Sequence, residues 1–338
     1  MTIPEEIADN LYRIKVPLPE NLLPYTNAYV IRGKDRHLII DSGMDTPRCK
    51  AALKESLQVL DIDLDRTDFF ITHFHRDHLQ LALALVAEGA RIFMSRVDHR
   101  ELELLKENDW FRPDIPSFSR ISGFPEADLR SAYRFFEQFE EKTTFKMPPI
   151  TLLNDGDLLQ APGMTLRCIM TPGHSKGHMC LYDAEGKRLL AGDHLLDEIT
   201  PTIQGRFNGE NPLEDYLASL EKIEAMEVGL VLPGHKRPFT HFKNRIEELR
   251  HHHRQRNRQI LDILSMGPAT AYRVASGMSW NVRGNSWDNY APLQRFMAMG
   301  ETISHLNYLL KQGKIKQERM DGRFIFFLSK HPAVTWPN

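Results

Sequence analysis

The sequence predicts an α/β fold followed by a small helical C-terminal domain. Three observations carry the prediction. Short β-type runs alternate with helical ones through residues 1–250, and four of those runs end directly on histidine- or aspartate-bearing loops. The tail turns helical and basic, then closes on two short β-type runs.

The elements follow in order. Residues 11–16, 27–32 and 37–41 alternate in strand fashion, the last two joined by the hairpin turn Arg32-Gly33-Lys34-Asp35. Asp41-Ser42-Gly43 ends the third run, and a helix is expected over 47–60. Phe69-Phe70-Ile71 reads as a buried strand, 79–87 as a helix and 91–94 as the next strand. Residues 97–148 interrupt the pattern. They are helical and charged over 98–108, then rich in proline and aromatic side chains (Trp110, Phe111, Pro113, Ile115, Pro116, Phe118), then helical again over 126–141, where Tyr133, Phe135, Phe136 and Phe139 fall. Such an excursion between core strands is expected near the active-site mouth as a lid or substrate wall, or as a packed bracket or dimer contact. A long helix over 242–266 carries His251-His252-His253. Three consecutive residues point to three sides of a helix, so they cannot hold one metal together. The tail is expected to form a helix over 270–276, an aromatic loop over 280–290, a helix over 292–312 and strands over 315–319 and 324–328.

The run Thr72-His73-Phe74-His75-Arg76-Asp77-His78 packs four potential ligands behind the buried strand. Imidazole nitrogens and carboxylate oxygens suit zinc, and also iron or manganese. An isolated His-x-His would read as an exposed polar turn. Here matching groups recur: Thr171-Pro172-Gly173-His174 after 165–170, Gly192-Asp193-His194 after 188–191, and Pro233-Gly234-His235 after 228–232. Side chains gathered on loops at strand ends are how α/β proteins build sites. His194 follows Asp193, so on a strand it points to the opposite face and is left out of the ligand set. His178, in Ser175-Lys176-Gly177-His178, is expected to make a structural hydrogen bond or to orient a ligand.

In these residues the chain resembles the metallo-β-lactamase superfamily, whose signature is His-x-His-x-Asp-His followed by a His, an Asp and a last His. All seven positions are present: His73, His75, Asp77, His78, His174, Asp193 and His235. The resemblance implies a four-layer αββα sandwich over 1–250 and a dinuclear centre. His73, His75 and His174 would hold the first metal, Asp77, His78 and His235 the second, and Asp193 would bridge both. Two divalent ions are implied, zinc foremost, with iron or manganese as alternatives. Asp41, in the family's Asp-x-Gly, would support the site or simply lead into the helix. The activity implied is hydrolysis, in which a metal-bridging hydroxide attacks a small-molecule thioester, ester or lactone carbonyl. Asp77, counted as the catalytic residue, would help to orient it. His75 stands where related oxygen-reducing di-iron enzymes carry glutamate, which points away from redox chemistry. Similarity to glyoxalase II suggests thioesters, although Gln80 departs from a glycine often found there and the tail does not match its glutathione-binding helices. An antibiotic-degrading β-lactamase is the third reading, because such enzymes are exported and no export signal is expected here.

Composition narrows the class. A chain of 338 residues can hold two domains. Hydrophobic residues make up 41%, yet no stretch approaches the ~20 apolar residues of a membrane span, so no membrane partner is expected. The acidic N-terminus lacks the basic and apolar regions of a signal peptide. The scattered cysteines Cys49, Cys168 and Cys180 show no metal or redox spacing, and a reducing cytoplasm is the expected compartment. Residues 251–338 carry 12 Lys and Arg against 5 Asp and Glu, a net of +7 that leaves −9 for residues 1–250 of the whole-chain −2.

That asymmetry suggests a basic tail that meets an acidic partner, or a small domain with its own surface. Helices followed by a hairpin over 251–338 resemble a winged helix, with Lys311, Lys314, Lys316, Arg319 and Arg323 about the wing. The expected partners are therefore a small-molecule substrate, nucleic acid through this domain, and a second copy of the chain as a homodimer. The alternative function is a metal-dependent nuclease or an RNA- or DNA-binding protein.

Overall fold

Apolar residues at every second position give each strand one face for a shared core, and two sheets are stacked on that core. The computed structural model describes residues 3–19, 23–107, 114–137, 148–280 and 286–329. The first sheet runs β1 (Glu5–Ala8), β2 (Leu11–Pro17), β3 (Tyr25–Ile31), β4 (His37–Ile40), β5 (Thr67–Ile71), β6 (Ile92–Ser95) and β7 (Ile150–Leu153), in that spatial order. β1 to β4 pair antiparallel and β4 to β7 pair parallel. The second sheet holds β8 (Leu158–Ala161), β9 (Met164–Met170), β10 (Met179–Asp183), β11 (Arg188–Gly192) and β12 (Leu230–Pro233). Within it only the β11–β12 pair is parallel. Leu38, Ile40, Phe70 and Phe93 of the first sheet share one core with Leu166, Cys168, Leu181, Leu190 and Leu232 of the second. Each such side chain contributes roughly 1.5–3 kcal/mol on burial.

Residues of the opposite parity, such as Ile39 and Phe69, are equally buried, and helices cover that face. α1 (Pro47–Val59) packs on β2 and buries Cys49, Leu53 and Leu57. Its first turn is capped by Thr46, whose Oγ accepts from the Cys49 N–H. α2 (Arg76–Leu85) follows β5, and α3 (Arg96–Glu107) follows β6. The parallel pairs matter for the site. β4 and β5 end side by side, as do β11 and β12, so the loops after them emerge together.

The chain divides into two compact units: Met1–Leu104, Thr144–Pro201 and Tyr216–Glu247 form one, and Leu105–Thr143, Thr202–Asp215 and Glu248–Asn338 the other. This differs from the expected boundary at residue 250, with 97–148 counted to the sandwich. The reason lies in packing. Phe124 and Leu129, from α4 (Ile115–Ser122) and α5 (Glu126–Glu137) and the turn between them, belong to one core with Ile260, Leu264, Met299, Leu306 and Phe326. Asp128 also pairs with Arg295 at 2.8 Å. α4 itself lies in the stretch read only as rich in proline and aromatic side chains. Asp114 caps it by accepting from the Ser117 N–H, and its proline falls in the first turn, where a missing N–H leaves no bond unmade. α6 (Pro212–Glu224) is a further helix that the expected elements do not include, although Asn211 and Pro212 mark its start. Trp110, Phe111, Pro113 and Phe139, with residues 281–285 of the aromatic loop, lie outside the described residues.

The second unit continues from Glu248 through the rest of α7 (Phe242–Ser265), then β13 (Ala269–Thr270), α8 (Ala271–Gly277), α9 (Pro292–Lys311), β14 (Ile315–Met320) and β15 (Arg323–Leu328), with sheet order β13-β15-β14. No residue of α9 from Ala298 to Leu310 is exposed. α5 and α8 pack against it, Gly205 N–H bonds to the Gly300 carbonyl, and Asn307 Nδ2 donates to the carbonyls of Arg206 and Glu210. Among the described residues no helix is long and apolar enough to cross a membrane. The three cysteines are free and buried.

Candidate metal centre

The loop after β5 is short and folds straight into α2. His75 is the N-cap of that helix, which puts Asp77 and His78 in its first turn. The helix thus starts three residues before the expected position at 79, and this aims both side chains from one rigid element. His174 follows β9, Asp193 follows β11 and His235 follows β12. Gly192 has φ +47°, and a Cβ there would lie 2.7 Å from both His178 Nε2 and Thr72 Oγ. The small residue before the aspartate is therefore required by backbone shape and by space.

The structure brings all seven sequence-predicted residues together. His73, His75 and His174 offer nitrogens within 4.8 Å of one another, as do the ligand atoms of Asp77, His78 and His235, and those of His73, His78 and Asp193. His75 Nδ1 is 2.9 Å from His73 Nε2 and 3.0 Å from His174 Nε2. Asp193 Oδ2 lies 3.5 Å from His174 Nε2 and 3.4 Å from His235 Nε2. His78 Nε2 and Asp193 Oδ1 are buried, face each other at 3.6 Å, and have no hydrogen-bond partner among the described residues. Two buried polar atoms left in this way are costly, and a cation between them would satisfy both. The donor set fits divalent metal ions.

Electrostatics agrees. Burial, reinforced by the neighbouring imidazoles, holds His73 well below the ordinary histidine range, and burial takes His75 down to about 3. Burial alone would also lower His78, but Asp41, Asp77 and Asp193 lift it to about 9. His235 is raised well above its usual value, since Asp193 and Asp77 overcome its burial. Burial disfavours ionisation of Asp77 and Asp193, yet His78 and His235 hold both well below the usual carboxylate range. The same negative field that retains protons on two imidazoles would retain a divalent cation.

Several supporting residues surround the ligands. Asp41, at φ +58°, accepts at Oδ1 from the Thr72 N–H and bonds His78 Nδ1 through Oδ2 at 2.7 Å, leaving His78 Nε2 for the centre. The Tyr25 carbonyl does the same for His235 Nδ1 at 2.9 Å. His178 is fully buried, and its Nε2 accepts from the Asp193 N–H at 3.1 Å while Nδ1 meets Thr171 Oγ at 2.8 Å. It orients the backbone of a ligand residue. His194 is buried against Tyr216 and His178, and burial holds it at about 3; it lies outside every ligand group, as expected. Sequence reasoning missed Asp98, whose carboxylate accepts from the Phe74 N–H, the Ser175 hydroxyl and the Gly177 N–H. Burial pushes its carboxyl up to about 7 against those three donors. Its only sequence signal is the pair Ser95 and Asp98, three apart at a helix start, which reads as an ordinary cap.

A site of this composition on this fold defines a class. The family model of the Metallo-beta-lactamase superfamily matches residues 23–235, and the chain belongs to that superfamily. It is a metal-dependent hydrolase. A probable metallo-hydrolase YqjP of Bacillus subtilis (strain 168) is 25% identical over 94% of this chain and 98% of its own length. An atrochrysone carboxyl ACP thioesterase of Aspergillus fumigatus is 25% identical over 70% of this chain, which covers 58% of that longer protein. Among solved structures, a metallo-beta-lactamase family protein from Thermus thermophilus has 27% identity and a TM-score of 0.71, covering 96% of this chain and 100% of that one. A beta-lactamase domain protein from Burkholderia ambifaria, with 24% identity and a TM-score of 0.77 over 96% of this chain and 94% of its own, shares the fold.

Proposed function

We propose that this hydrolase acts on a small-molecule thioester, ester or lactone at a centre of two divalent metal ions, zinc foremost. The observation that carries the reading is the position of Asp193 Oδ2, within 3.5 Å of a nitrogen from each ligand triad. In this reading His73, His75 and His174 would hold one ion, Asp77, His78 and His235 the other, and Asp193 would serve both. When bound, such a pair supplies a water ionised near neutral pH and electrophilic help to the carbonyl oxygen.

The chain's own groups prepare that chemistry. Thr26 Oγ donates to Asp77 Oδ2 at 3.3 Å, which fixes the carboxylate beside His235 Nε2, also 3.3 Å away. Held ionised, Asp77 accepts a hydrogen bond from the attacking water and orients it. Cysteine chemistry is disfavoured, because burial pushes the Cys168 and Cys180 thiols up to about 12. Thioesters lead the substrate classes because two relatives are named as thioesterases.

The test is metal content together with turnover. Zinc-loaded protein should bind two ions per chain and hydrolyse at least one member of a panel of acyl thioesters, aryl esters and lactones. A single ion, or inertness toward all three classes, overturns the proposal. Nucleic-acid handling is the second reading, favoured by the exposed Lys314, Lys316, Arg319 and Arg323 on and beside the β14–β15 hairpin. The burial of α9 counts against it, since a covered helix cannot enter a groove. Cleavage of end-labelled single-stranded RNA that is lost in Asp77→Ala would restore it.

A further inference from the structure

We infer that Asp98 is the positioning residue of the triad His73, His75 and His174, because its carboxylate ties together the two loops that deliver those histidines. The inference rests on the two-ion reading above. Asp98 is fully buried. Its Oδ2 accepts from the Phe74 N–H at 3.1 Å, between His73 and His75, and from Ser175 Oγ at 2.7 Å, next to His174. Its Oδ1 accepts from the Gly177 N–H at 2.6 Å.

The helix that carries Asp98 does not need this carboxylate. Asp98 is the third residue of α3, and its own N–H bonds to Ser95 Oγ at 3.0 Å, so Ser95 already caps the helix. In a capping box the acid at this place would return to the N–H of the cap residue. Here it is directed away, onto two ligand loops. The receiving loop is shaped to match, for a Cβ on Gly177 would lie 2.3 Å from Asp98 N and 2.7 Å from Asp98 Oδ1. Loop and helix start can meet this closely only without a side chain at 177. The second triad is anchored otherwise: Ser42 Oγ donates to the His78 carbonyl, and Asp41 and Tyr25 hold His78 and His235.

The clamp predicts a selective effect. Asp98→Asn keeps size and shape but presents an amide donor to one of the two loops. Stepwise zinc affinity is measured by competition with a chromophoric chelator in wild type, in His235→Ala, where the first triad remains, and in His174→Ala, where the second remains. Asp98→Asn should weaken zinc about 10–100-fold in the His235→Ala background and leave it unchanged in the His174→Ala background. Ser175→Ala, which removes one arm and spares the helix, should show the same selectivity at smaller size. Equal weakening in both backgrounds marks a merely structural residue and overturns the inference, as does no weakening in either. Wild type that takes up a single ion overturns the two-ion reading instead.

Discussion

Among the described residues, buried and half-buried histidines cluster in each unit, and only one cluster offers groups of ligands that could hold a metal. The first interleaves His73, His75, His78, His174 and His235 with Asp41, Asp77 and Asp193. The second joins His252 and His253 of α7 to His305 of α9. There His253 Nδ1 meets His305 Nε2 at 3.2 Å, and His305 Nδ1 meets Asn257 Oδ1 at 2.8 Å. The carboxylate of Glu301 lies 3.5 Å from His252 and 3.4 Å from Arg256. A fixed guanidinium already supplies the cation that this cluster can hold. Among the described residues every three-ligand group falls in the first cluster. The number of imidazoles therefore decides little; the balance of carboxylates over fixed positive charge decides whether a metal fits.

That contrast can be broken most directly at Asp193. Asp193→Ala or His75→Ala should lower turnover at least about a thousandfold, on the order of 4 kcal/mol, and lower zinc uptake below two ions per chain while far-UV circular dichroism is kept. His253→Leu should leave zinc content untouched. Retained activity in either of the first two variants sinks the ligand assignment. Next in size is Asp41→Ala, which frees the His78 ring and should weaken zinc about 10–100-fold, read by chelator competition.

The second cluster makes an acid-stability prediction. Burial, with His252 and Arg256 nearby, pushes His253 down to about 3 despite Glu301, and burial with His253, His252 and Arg256 holds His305 well below its usual value. Both are neutral when folded, whereas the unfolded chain takes up protons near pH 6.5. Stability from these groups is thus full above about 6.5 and is lost as pH falls toward 3, by about 1.4 kcal/mol per pH unit for each histidine. Thermal melts of zinc-saturated protein from pH 7.5 to 5 should fall more steeply in wild type than in His253→Leu. Parallel curves would remove the cluster from the account. The smallest effect belongs to the hairpin: Lys316→Glu with Arg319→Glu should leave ester and thioester turnover within about twofold, because both side chains are exposed.

The sequence exposed the ligand loops because each is a short run at a strand end, where a polar residue has few other reasons to interrupt an apolar pattern. His251, His252 and His253 were legible too: a helix turns them to an exposed, a half-buried and a buried side. Asp98 was not legible, since an acid in a first helical turn is ordinary and nothing local tells which way it points. The allegiance of Phe124 and Leu129 was hidden for a related reason. Aromatic and aliphatic periodicity announces that a face is covered without saying what covers it. α4 was obscured by a proline that reads as a breaker from outside the helix and as a first-turn residue from within it.

The order of the ligands along the chain also bears on synthesis. His73, His75, Asp77 and His78 are made first, His174 and Asp193 later, and His235 last, after the edge strand β12 of the second sheet. A growing chain can therefore complete the triad of His73, His75 and His174 before β12 exists. An ion captured at that moment would fasten the loop after β5 to the loop after β9 while the sheet is still unfinished. In the two-ion reading, the other position would wait for His235, and loading would then be ordered in time as well as in space.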